Sequence, residues 1–545
     1  MSENLSAGTL PTVTSLIRNR WWIGAPLLVI VVLYVLPLGG TPPTTNPNEL
    51  ARIELGVAIA DGARLDIGPV ALVYGLSEDV ARRGVHIYSD KAPGLSILAA
   101  PITFLVGPLL PPVPNTGLPA FWPLRHLLTL LLVALPTAGL AFVIVTGVPG
   151  LDPSRRSGLA VIVALATPLW AYATVFFGHA PAAVLVTVAW MLLLRPGVAE
   201  RPPHRLLALL GGAAAWFAIT VEYPTALLAG VIFGALIARR TPLSILGWVA
   251  AGAIVGLLPA LLYHQLAFGA PWLTGYAFKA DTDFQAIHAR GVLGVSLPSL
   301  EALWGVLFSA RRGLFYFSPI LLLAPLGLWR MVRRRGFRDV APLSLAITVY
   351  VLFAAGFVDW EAGWCTAARH LVPIVPLLAI PVLYALMKID SGWSWKVLAA
   401  SLIAISGVNA ALSIALTPFF PPQFAVPLAQ LVLPSLADHA GLHNIISAAI
   451  GVPTIAVVIT VLVVTVATLG WASSRVLRMP RRWVGAVFAA TIAAQLLWLG
   501  WRGTDATTEV ELMRAQVLQR LGYESLAERI ERDTIEPGPH FSRRR

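Results

Sequence analysis

Tyr88-Ser-Asp-Lys-Ala-Pro-Gly94 joins an aromatic ring, an acid, a base and a Pro-Gly turn directly ahead of an apolar run. It closes a polar segment that separates the first apolar run, 22–38, from the later ones. A polar motif between long apolar runs is typical of a place where charged side chains meet a bilayer surface. We therefore expect the chain to be organised around this segment.

The composition places the chain in a membrane. Of its 545 residues, 57% are hydrophobic and 12% are charged, and the mean hydropathy is +0.77, far from the usage of soluble globular proteins. The formal net charge is +12, but the arginines stand in short clusters between apolar runs, so we expect no nucleic-acid partner. Cys365 is the only cysteine, which excludes an internal disulfide framework and a cysteine metal cluster.

The apolar runs predict an all-α, polytopic integral membrane protein with about 13 transmembrane helices. No small-residue cleavage site follows the first run, so we expect it to remain as an uncleaved helix. A further run, 92–110, is apolar enough to cross, but Pro93, Pro101 and Pro108 make it a poor straight helix. The candidate spans lie near 22–39, 127–148, 159–177, 180–194, 206–220, 222–238, 243–266, 314–329, 340–358, 371–387, 397–416, 448–469 and 484–500.

The basic clusters decide whether 92–110 crosses the membrane. If Arg18 and Arg20 are cytoplasmic and 92–110 lies against the outer face, every later basic cluster falls on the cytoplasmic side, and if it crossed, all of them would lie outside. These clusters are Arg155/Arg156, Arg195/Arg201/Arg205, Arg239/Arg240, Arg330 to Arg338, Lys388/Lys396 and Arg475/Arg478/Arg481/Arg482. We therefore predict an N-in, C-out topology, with most acids and histidines of chemical interest outside.

This topology divides the chain into three parts. Residues 1–390 form the transmembrane module that carries the chemistry, with the outer loop 40–125 holding the Tyr88–Gly94 motif. Residues 391–500 add further transmembrane helices, and 501–545 form an amphipathic helical tail on the outer face. Within the outer loop, apolar residues at helical spacing predict an interfacial helix over 48–62 that lies on the membrane surface, with Asn46 or Asn48 as its N-cap.

Asp79, Asp90 and Lys91 are the groups of the outer loop that could carry chemistry. A carboxylate can take a proton from an attacking hydroxyl or amine, and a cation can hold a departing phosphate. Lys91 stands where the head group of a lipid phosphate would rest. The plainer alternative is that Lys91 reaches for lipid head groups and that Asp90 pairs with it.

Three motifs of the outer loop occur in a familiar order: Asn48-Glu-Leu-Ala-Arg-Ile-Glu54, Leu65-Asp-Ile-Gly68 and Tyr88-Ser-Asp-Lys-Ala-Pro-Gly94. In this order they resemble the first outer loop of the GT-C type membrane glycosyltransferases, the superfamily of the protein O-mannosyltransferases and the lipid A aminoarabinose transferase. The resemblance runs from about residue 20 to residue 390. Further matches are Phe176-Phe-Gly-His179, Ala310-Arg-Arg-Gly-Leu-Phe-Tyr-Phe-Ser-Pro319 and Trp360-Glu-Ala-Gly-Trp-Cys-Thr-Ala-Ala-Arg-His370.

The resemblance implies a membrane glycosyltransferase. Such an enzyme would move a sugar from a polyprenyl-phosphate donor to a lipid, glycan or protein acceptor on the outer face of the cytoplasmic membrane. Its expected partners are this donor and the surrounding membrane lipids. The alternatives are a catalytically inactive GT-C relative and a transporter or flippase of a lipid-linked substrate. Transporters usually carry ionisable residues within their spans and often show two related halves, whereas these spans are almost free of charge.

The resemblance also points to a catalytic base. The position of the family's usual catalytic aspartate falls on Asn48, and an amide cannot act as a general base. Glu49 and Asp90 are then the first candidates for the base, ahead of Glu54 and Asp79.

Phosphate binding is expected from basic residues on the outer side. Lys91 matches the lipid-phosphate-binding lysine of the family, and Arg311, Arg369 and His370 could contact a phosphate or pyrophosphate. The alternative role of these residues is to anchor helix ends at lipid head groups. The substrate-binding candidates are Lys91, Tyr88, Arg311, Arg369, His370 and Asp79.

A divalent metal is compatible with the sequence, although the sequence does not specify one. Asp90 with His264 or His288 could ligate a metal, but scattered residues define no ligand distances, so we assign no metal ligands. Glu222, beside Tyr223 and Pro224 at a helix turn, is expected to cap or pair rather than to catalyse.

Overall fold

The computed structural model describes residues 21–37, 46–146, 151–194, 202–291, 294–387 and 392–535. Five residues that entered the topology argument lie outside these ranges: Arg18, Arg20, Arg195, Arg201 and Lys388.

The first half of the chain is a series of helices interrupted by one hairpin of strands. The strands are Val80–Arg83 (β1) and His86–Ser89 (β2), which pair antiparallel. The helices are Trp21–Val35 (α1), Pro47–Ala60 (α2), Gly68–Tyr74 (α3), Gly94–Val106 (α4), Phe121–Thr129 (α5), Leu135–Thr146 (α6), Pro153–Leu165 (α7), Leu169–Ala173 (α8), His179–Leu193 (α9), Arg205–Val221 (α10), Ala226–Ala238 (α11) and Leu243–Phe268 (α12). The turn Leu130–Ala134 joins α5 to α6 without a break.

The described residues of the second half contain helices and no named strand. They are Thr282–Ala289 (α13), Leu300–Leu307 (α14), Leu314–Phe317 (α15), Ala324–Arg335 (α16), Phe337–Gly356 (α17), Val375–Met387 (α18), Trp393–Ala415 (α19), Leu433–Ala437 (α20), Ile445–Ile450 (α21), Thr454–Val476 (α22), Arg481–Gly503 (α23), Thr508–Arg520 (α24) and Glu524–Ile535 (α25). The turn Arg369–Ile374 leads directly into α18, and Leu428–Val432 leads into α20.

Seven of the described helices are long and apolar enough to cross a membrane, and further apolar helices are shorter. The chain is therefore a multi-pass membrane protein. The total of about 13 spans and the N-in, C-out orientation remain predictions. The seven are Phe121–Thr146, Leu243–Phe268, Phe337–Gly356, Arg369–Met387, Trp393–Ala415, Thr454–Val476 and Arg481–Gly503.

Basic residues from separate helices lie at one end of the bundle. The Arg155 guanidinium donates to the carbonyl oxygens of Met387 at 3.2 Å and Val476 at 3.3 Å. Arg330 donates to the carbonyl oxygen of Ala385 at 2.5 Å. These carbonyls end α18 and α22, where the last turn of a helix leaves acceptors unsatisfied and favours a positive charge.

Helix α2 begins as the sequence predicts but has different surroundings. The side chain of Asn46 accepts a hydrogen bond from the Asn48 backbone N–H at 3.0 Å, and Pro47 occupies the first turn. Every residue from Asn48 to Ala58 is buried. Protein therefore surrounds this helix except where Asn48 and Arg52 face the cavity described below, and its place at the membrane surface stays a prediction.

The strand hairpin is the exception to the all-α prediction. Arg83 pairs with His86, so only Gly84 and Val85 form the loop, and Gly84 has a φ of +63°. A glycine with positive φ is the usual requirement of such a tight turn. The hairpin places Asp79 and Asp90 beside each other.

The Pro-Gly turn of the opening motif allows a close approach. A Cβ on Gly94 would lie 2.7 Å from the carbonyl oxygen of Thr220, at the end of α10. Because glycine lacks that atom, the start of α4 packs directly against the segment that leads to Glu222. Helix α4 has 13 residues and is about 20 Å long, shorter than the roughly 30 Å hydrocarbon core of a bilayer.

Topology mapping can test the prediction that α4 does not cross the membrane. A reporter fused after Asn115 is expected to report the outer side, because α1 crosses and α4 returns to the same face. Alkaline phosphatase, which is active outside the cytoplasm, and a reporter that is active only in the cytoplasm would be fused at this site in parallel, and their activities compared. High cytoplasmic activity at residue 115 would overturn the predicted topology.

Candidate functional site

A cavity of about 340 Å³ lies at the end of the bundle opposite to Arg155 and Arg330. The 19-residue helix Arg369–Met387 shows this arrangement, because Arg369 lines the cavity and Met387 contacts Arg155 at the other end. The cavity walls come from seven parts of the chain: 46–91, residue 179, residue 222, 276–288, 357–370, 417–419 and 517–521.

Two lysines and two aspartates form a cluster on the cavity wall, which we call the lysine–aspartate cluster. Lys91 Nζ lies 3.0 Å from Asp79 Oδ1 and 3.3 Å from Asp90 Oδ1. Lys279 Nζ lies 2.6 Å from Asp90 Oδ2 and 3.3 Å from Asp79 Oδ1. Asp79, Lys91 and Lys279 line the cavity, whereas Asp90 is fully buried behind them.

The hairpin builds this cluster from distant sequence positions. Asp79 and Asp90 flank the two strands, and the Asp90 N–H donates to the Asp79 carbonyl oxygen at 3.4 Å. The segment with Lys279 then docks beside β1, since the Ala280 N–H donates to the Val80 carbonyl oxygen at 2.9 Å. Three short segments therefore carry the four charges.

Electrostatics favour the charged forms of Asp79 and Lys91. Burial alone would raise the pKa of Asp79, but Lys91 and Lys279 outweigh burial and lower that pKa to about 2. Burial likewise opposes the charge of Lys91, yet the two aspartates raise the pKa of its ammonium group. Because the two positive charges balance the two negative ones, the cluster as a whole supplies no net charge.

Arg369 and His370 contribute unpaired polar groups to the same cavity. The Arg369 Nε and His370 Nε2 atoms are buried and have no hydrogen-bond partner within the described residues. The His370 ring packs 5.8 Å from the ring of His179 and 5.2 Å from that of Phe357, between centroids. A buried guanidinium N–H without a protein partner is a group that an anionic ligand would satisfy.

Arg52 connects two further cavity residues. Its Nε donates to Asn48 Oδ1 at 2.9 Å, and its Nη2 donates to Glu222 Oε1 at 2.8 Å. His179 Nδ1 lies 3.6 Å from the same Glu222 oxygen. These contacts confirm the prediction that Glu222 is a paired residue. Glu222 also lines the cavity.

The C-terminal tail supplies one wall of the cavity. Val517, Arg520 and Leu521, at the end of α24, line it. The Arg520 guanidinium lies 4.7 Å from the ring centroid of Trp364, which also lines the cavity. The tail is fixed from behind by an ion pair between Arg514 and Asp438.

Two expected bases do not reach the cavity. Glu49 is 1% exposed, and its Oε1 accepts hydrogen bonds from Arg125 at 2.8 Å and from the Phe176 N–H at 2.6 Å. Asp90 lies behind Lys91 and Lys279 with no exposed surface. Neither carboxylate is placed to touch a substrate there.

Glu54, a third candidate, is also enclosed. It has no exposed surface, and neither carboxylate oxygen has a hydrogen-bond partner among the described residues. Burial raises the pKa of Glu54 to about 9. Burial thus favours the protonated form of Glu54, and the enclosed carboxyl does not line the cavity.

Two predicted substrate-binding residues lie elsewhere. Tyr88 on β2 packs its ring 5.7 Å from that of Phe268, away from the cavity lining. Arg311 forms an ion pair with Glu361. Its neighbour Arg312 is buried and donates to backbone carbonyls, including that of Gly363 at 2.8 Å.

The histidines do not assemble a metal site. No group of three His, Cys, Asp or Glu side chains that could hold a metal occurs in the part of the chain described. His264 is engaged by the Tyr223 hydroxyl at 2.8 Å and the Pro271 carbonyl oxygen at 3.1 Å. His288 lines the cavity and donates through Nδ1 to the Phe284 carbonyl oxygen at 2.8 Å.

Lys279 is the functional candidate that sequence reasoning missed. A signal for it exists, because the whole chain contains only four lysines: Lys91, Lys279, Lys388 and Lys396. The latter two belong to a predicted cytoplasmic cluster. Both lysines of the predicted outer loops therefore meet in one cavity.

No family model and no curated protein matches the sequence. Among solved structures, ArnT from Cupriavidus metallidurans bound to undecaprenyl phosphate matches with 17% identity and a TM-score of 0.48, over 96% of this chain and 80% of that one. The apo state of the same protein matches with 16% identity and a TM-score of 0.44, over 85% and 78%. An apo Archaeoglobus fulgidus oligosaccharyltransferase matches with 11% identity and a TM-score of 0.39, over 73% and 56%. These structures belong to the class that the motifs resemble, but values this low assign no residue role and no activity to this chain.

Proposed function

We propose that this protein is a membrane glycosyltransferase that uses a polyprenyl-phosphate-linked sugar. It would transfer the sugar to a lipid, glycan or protein acceptor on the outer face of the cytoplasmic membrane. The observation that carries the proposal is the convergence of Lys91, Lys279 and Arg369 in one cavity at an end of the apolar bundle, with no hydrogen-bond partner for Arg369 Nε among the described residues.

The cations suit a phosphate that leaves the sugar. Ammonium and guanidinium groups form strong, charge-assisted hydrogen bonds to phosphate oxygens. The formal charges of the lysine–aspartate cluster cancel, and Arg369 adds a guanidinium whose Nε has no hydrogen-bond partner among the described residues. As the bond to the sugar breaks, negative charge grows on the phosphate, and the preorganised donors stabilise it.

The surroundings suit a donor that arrives from a lipid bilayer. Phe284 and Ile287 of α13 line the cavity, and the Lys279 ammonium lies 4.9 Å from the centroid of the Phe284 ring. Outside the cavity, Phe104 and Leu105 of α4 are 66% and 69% exposed. Apolar surface beside a cationic pocket would hold a polyprenyl chain while its phosphate reaches the cations.

The site assignments follow the cavity. Lys91, Lys279 and Arg369 are proposed to hold the phosphate, with His370 beside them and Asp79 as the counterion that orients both lysines. Tyr88 and Arg311 would act only by supporting neighbouring segments. Glu49 and Asp90 would need a rearrangement to reach an acceptor.

The proposal can be tested by a transfer assay in nanodiscs. Purified protein is incubated with radiolabelled polyprenyl-phosphate sugars and a membrane extract as the source of acceptors. We expect label to move from the donor lipid to an extract component, and the movement to be lost in an Arg369→Gln variant. If label stays on the lipid with every sugar tried, while undecaprenyl phosphate binds wild type and Arg369→Gln equally well, the proposal fails.

A further inference from the structure

We propose that Glu222 is the group that accepts the proton of the acceptor during transfer. This inference rests on the proposed glycosyl transfer and assigns its missing base. Among the described residues, four carboxylates line the cavity: Glu78, Asp79, Glu222 and Asp359. Asp79 is held between two ammonium groups and stays their counterion, so a base must come from the other three.

Glu222 is the one of these three that a cation holds in position. Arg52 Nη2 binds its Oε1 at 2.8 Å, whereas the described residues form no ion pair with Glu78 or Asp359. The second oxygen, Oε2, accepts no hydrogen bond from the described residues. One oxygen thus fixes the carboxylate, and the other is free to meet a hydroxyl or amine.

The position of Glu222 complements that of Asn48. One guanidinium, that of Arg52, joins the two side chains, with 2.9 Å to Asn48 Oδ1 and 2.8 Å to Glu222 Oε1. The amide of Asn48 cannot take a proton, but it holds Arg52 against the carboxylate. Gly178 makes room for this arrangement, because a Cβ there would collide with Glu222 Oε1.

The environment makes Glu222 more basic than an exposed glutamate. Burial raises the pKa of its carboxyl, and Arg52, Arg369 and Lys91 act against this rise without cancelling it. His179 on α9, Tyr276 of the cavity lining and Tyr350 on α17 are the further titratable groups beside it. A general base works best when its pKa approaches the working pH, so a raised pKa favours this role.

The reaction step balances as a single displacement. The acceptor's O–H or N–H gives its proton to Glu222 Oε2 while its lone pair forms a bond to C1 of the sugar. The bond from C1 to the phosphate oxygen breaks, and its electron pair stays on that oxygen. The departing polyprenyl phosphate remains on Lys91, Lys279 and Arg369, and protonated Glu222 returns its proton to water.

A Glu222→Gln variant tests the assignment, with Glu301→Gln as the matched control, since Glu301 is an exposed glutamate on α14 that does not line the cavity. The glutamine keeps an oxygen for Arg52 but cannot accept a proton. We expect its transfer rate to fall about 10²- to 10⁴-fold, the usual contribution of general base catalysis. Binding of undecaprenyl phosphate, used as the probe, should stay within about twofold of wild type, since the phosphate ligands are unchanged. Glu301→Gln should transfer at the wild-type rate.

The pH dependence gives a readout that a purely structural ion pair would not produce. The wild-type transfer rate should rise with pH as Glu222 loses its proton, and the midpoint should lie above the ordinary glutamate value. Glu222→Asp should retain a slower reaction with such an acid limb, whether or not Glu222→Gln folds. A wild-type profile without this limb overturns the inference.

The outcomes separate the inference from the proposed function. Transfer by wild type together with an undiminished rate in Glu222→Gln overturns the inference and leaves the glycosyltransferase proposal standing. Absence of transfer by wild type with every donor, together with equal binding of undecaprenyl phosphate by wild type and Arg369→Gln, overturns both. Loss of transfer in Glu222→Gln with retained binding and a monodisperse elution profile supports both.

Discussion

Lys91→Met is expected to weaken the binding of undecaprenyl phosphate about 10- to 100-fold, because a hydrogen bond to a charged group contributes about 1.5–3 kcal/mol. Methionine keeps an apolar stem of similar length and removes only the ammonium group. The affinity can be measured by titrating a fluorescent undecaprenyl phosphate into protein in nanodiscs. The transfer rate at low donor concentration should fall by the same factor.

The variant should fold, because Lys279 remains beside both aspartates. Its Nζ lies 2.6 Å from Asp90 Oδ2 and 3.3 Å from Asp79 Oδ1. Lys396→Met is the matched control, since Lys396 lies at the other end of the bundle near the Arg478 carbonyl oxygen, at 3.5 Å. Equal affinity of Lys91→Met and wild type would contradict a role of Lys91 in holding phosphate.

The sequence predicts the membrane class of this fold because hydropathy is a local property. Each apolar run of sufficient length specifies a helix, and Asn46 with Pro47 specifies where α2 begins. The hairpin at 80–89 is harder to predict, since its strands have four residues each and lie within a polar loop. Such short strands depend on the neighbouring 279–280 segment, which hydropathy does not place.

The site is only partly predictable because its partners are distant along the chain. Lys279 meets Asp90 across 189 positions, and Arg52 meets Glu222 across 170. No local pattern links such positions. The short motif around Lys91 identifies one lysine of the pair, and the tertiary fold supplies the other.

Helix periodicity places Glu49 on a different face of α2 from the one that lines the cavity. In α2, Asn48 and Arg52 are four residues apart and share the face that lines the cavity. Glu49 is rotated by about 100° from Asn48, toward Arg125 and the backbone of Phe176. The residue type made Glu49 attractive as a base, but the helix directs it into the protein interior.

Glu49→Met is accordingly expected to destabilise the protein rather than to slow a chemical step. It would leave the buried Arg125 guanidinium and the Phe176 N–H without their acceptor, and uncompensated buried charges of this kind cost about 3–5 kcal/mol. Thermal unfolding in detergent, followed by tryptophan fluorescence, should show a lower midpoint. Per folded molecule, transfer and lipid binding should stay close to wild type.

The double variant Glu49→Met with Arg125→Met decides between a structural and a catalytic Glu49. Removing both charges replaces the buried pair by apolar side chains of similar length, which often restores stability. The two single changes should therefore be strongly non-additive, because the residues contact each other at 2.8 Å. A stable double variant that still transfers sugar assigns Glu49 to the scaffold. A stable double variant without transfer, with lipid binding intact, would return Glu49 to the catalytic machinery and argue that the cavity rearranges during the reaction.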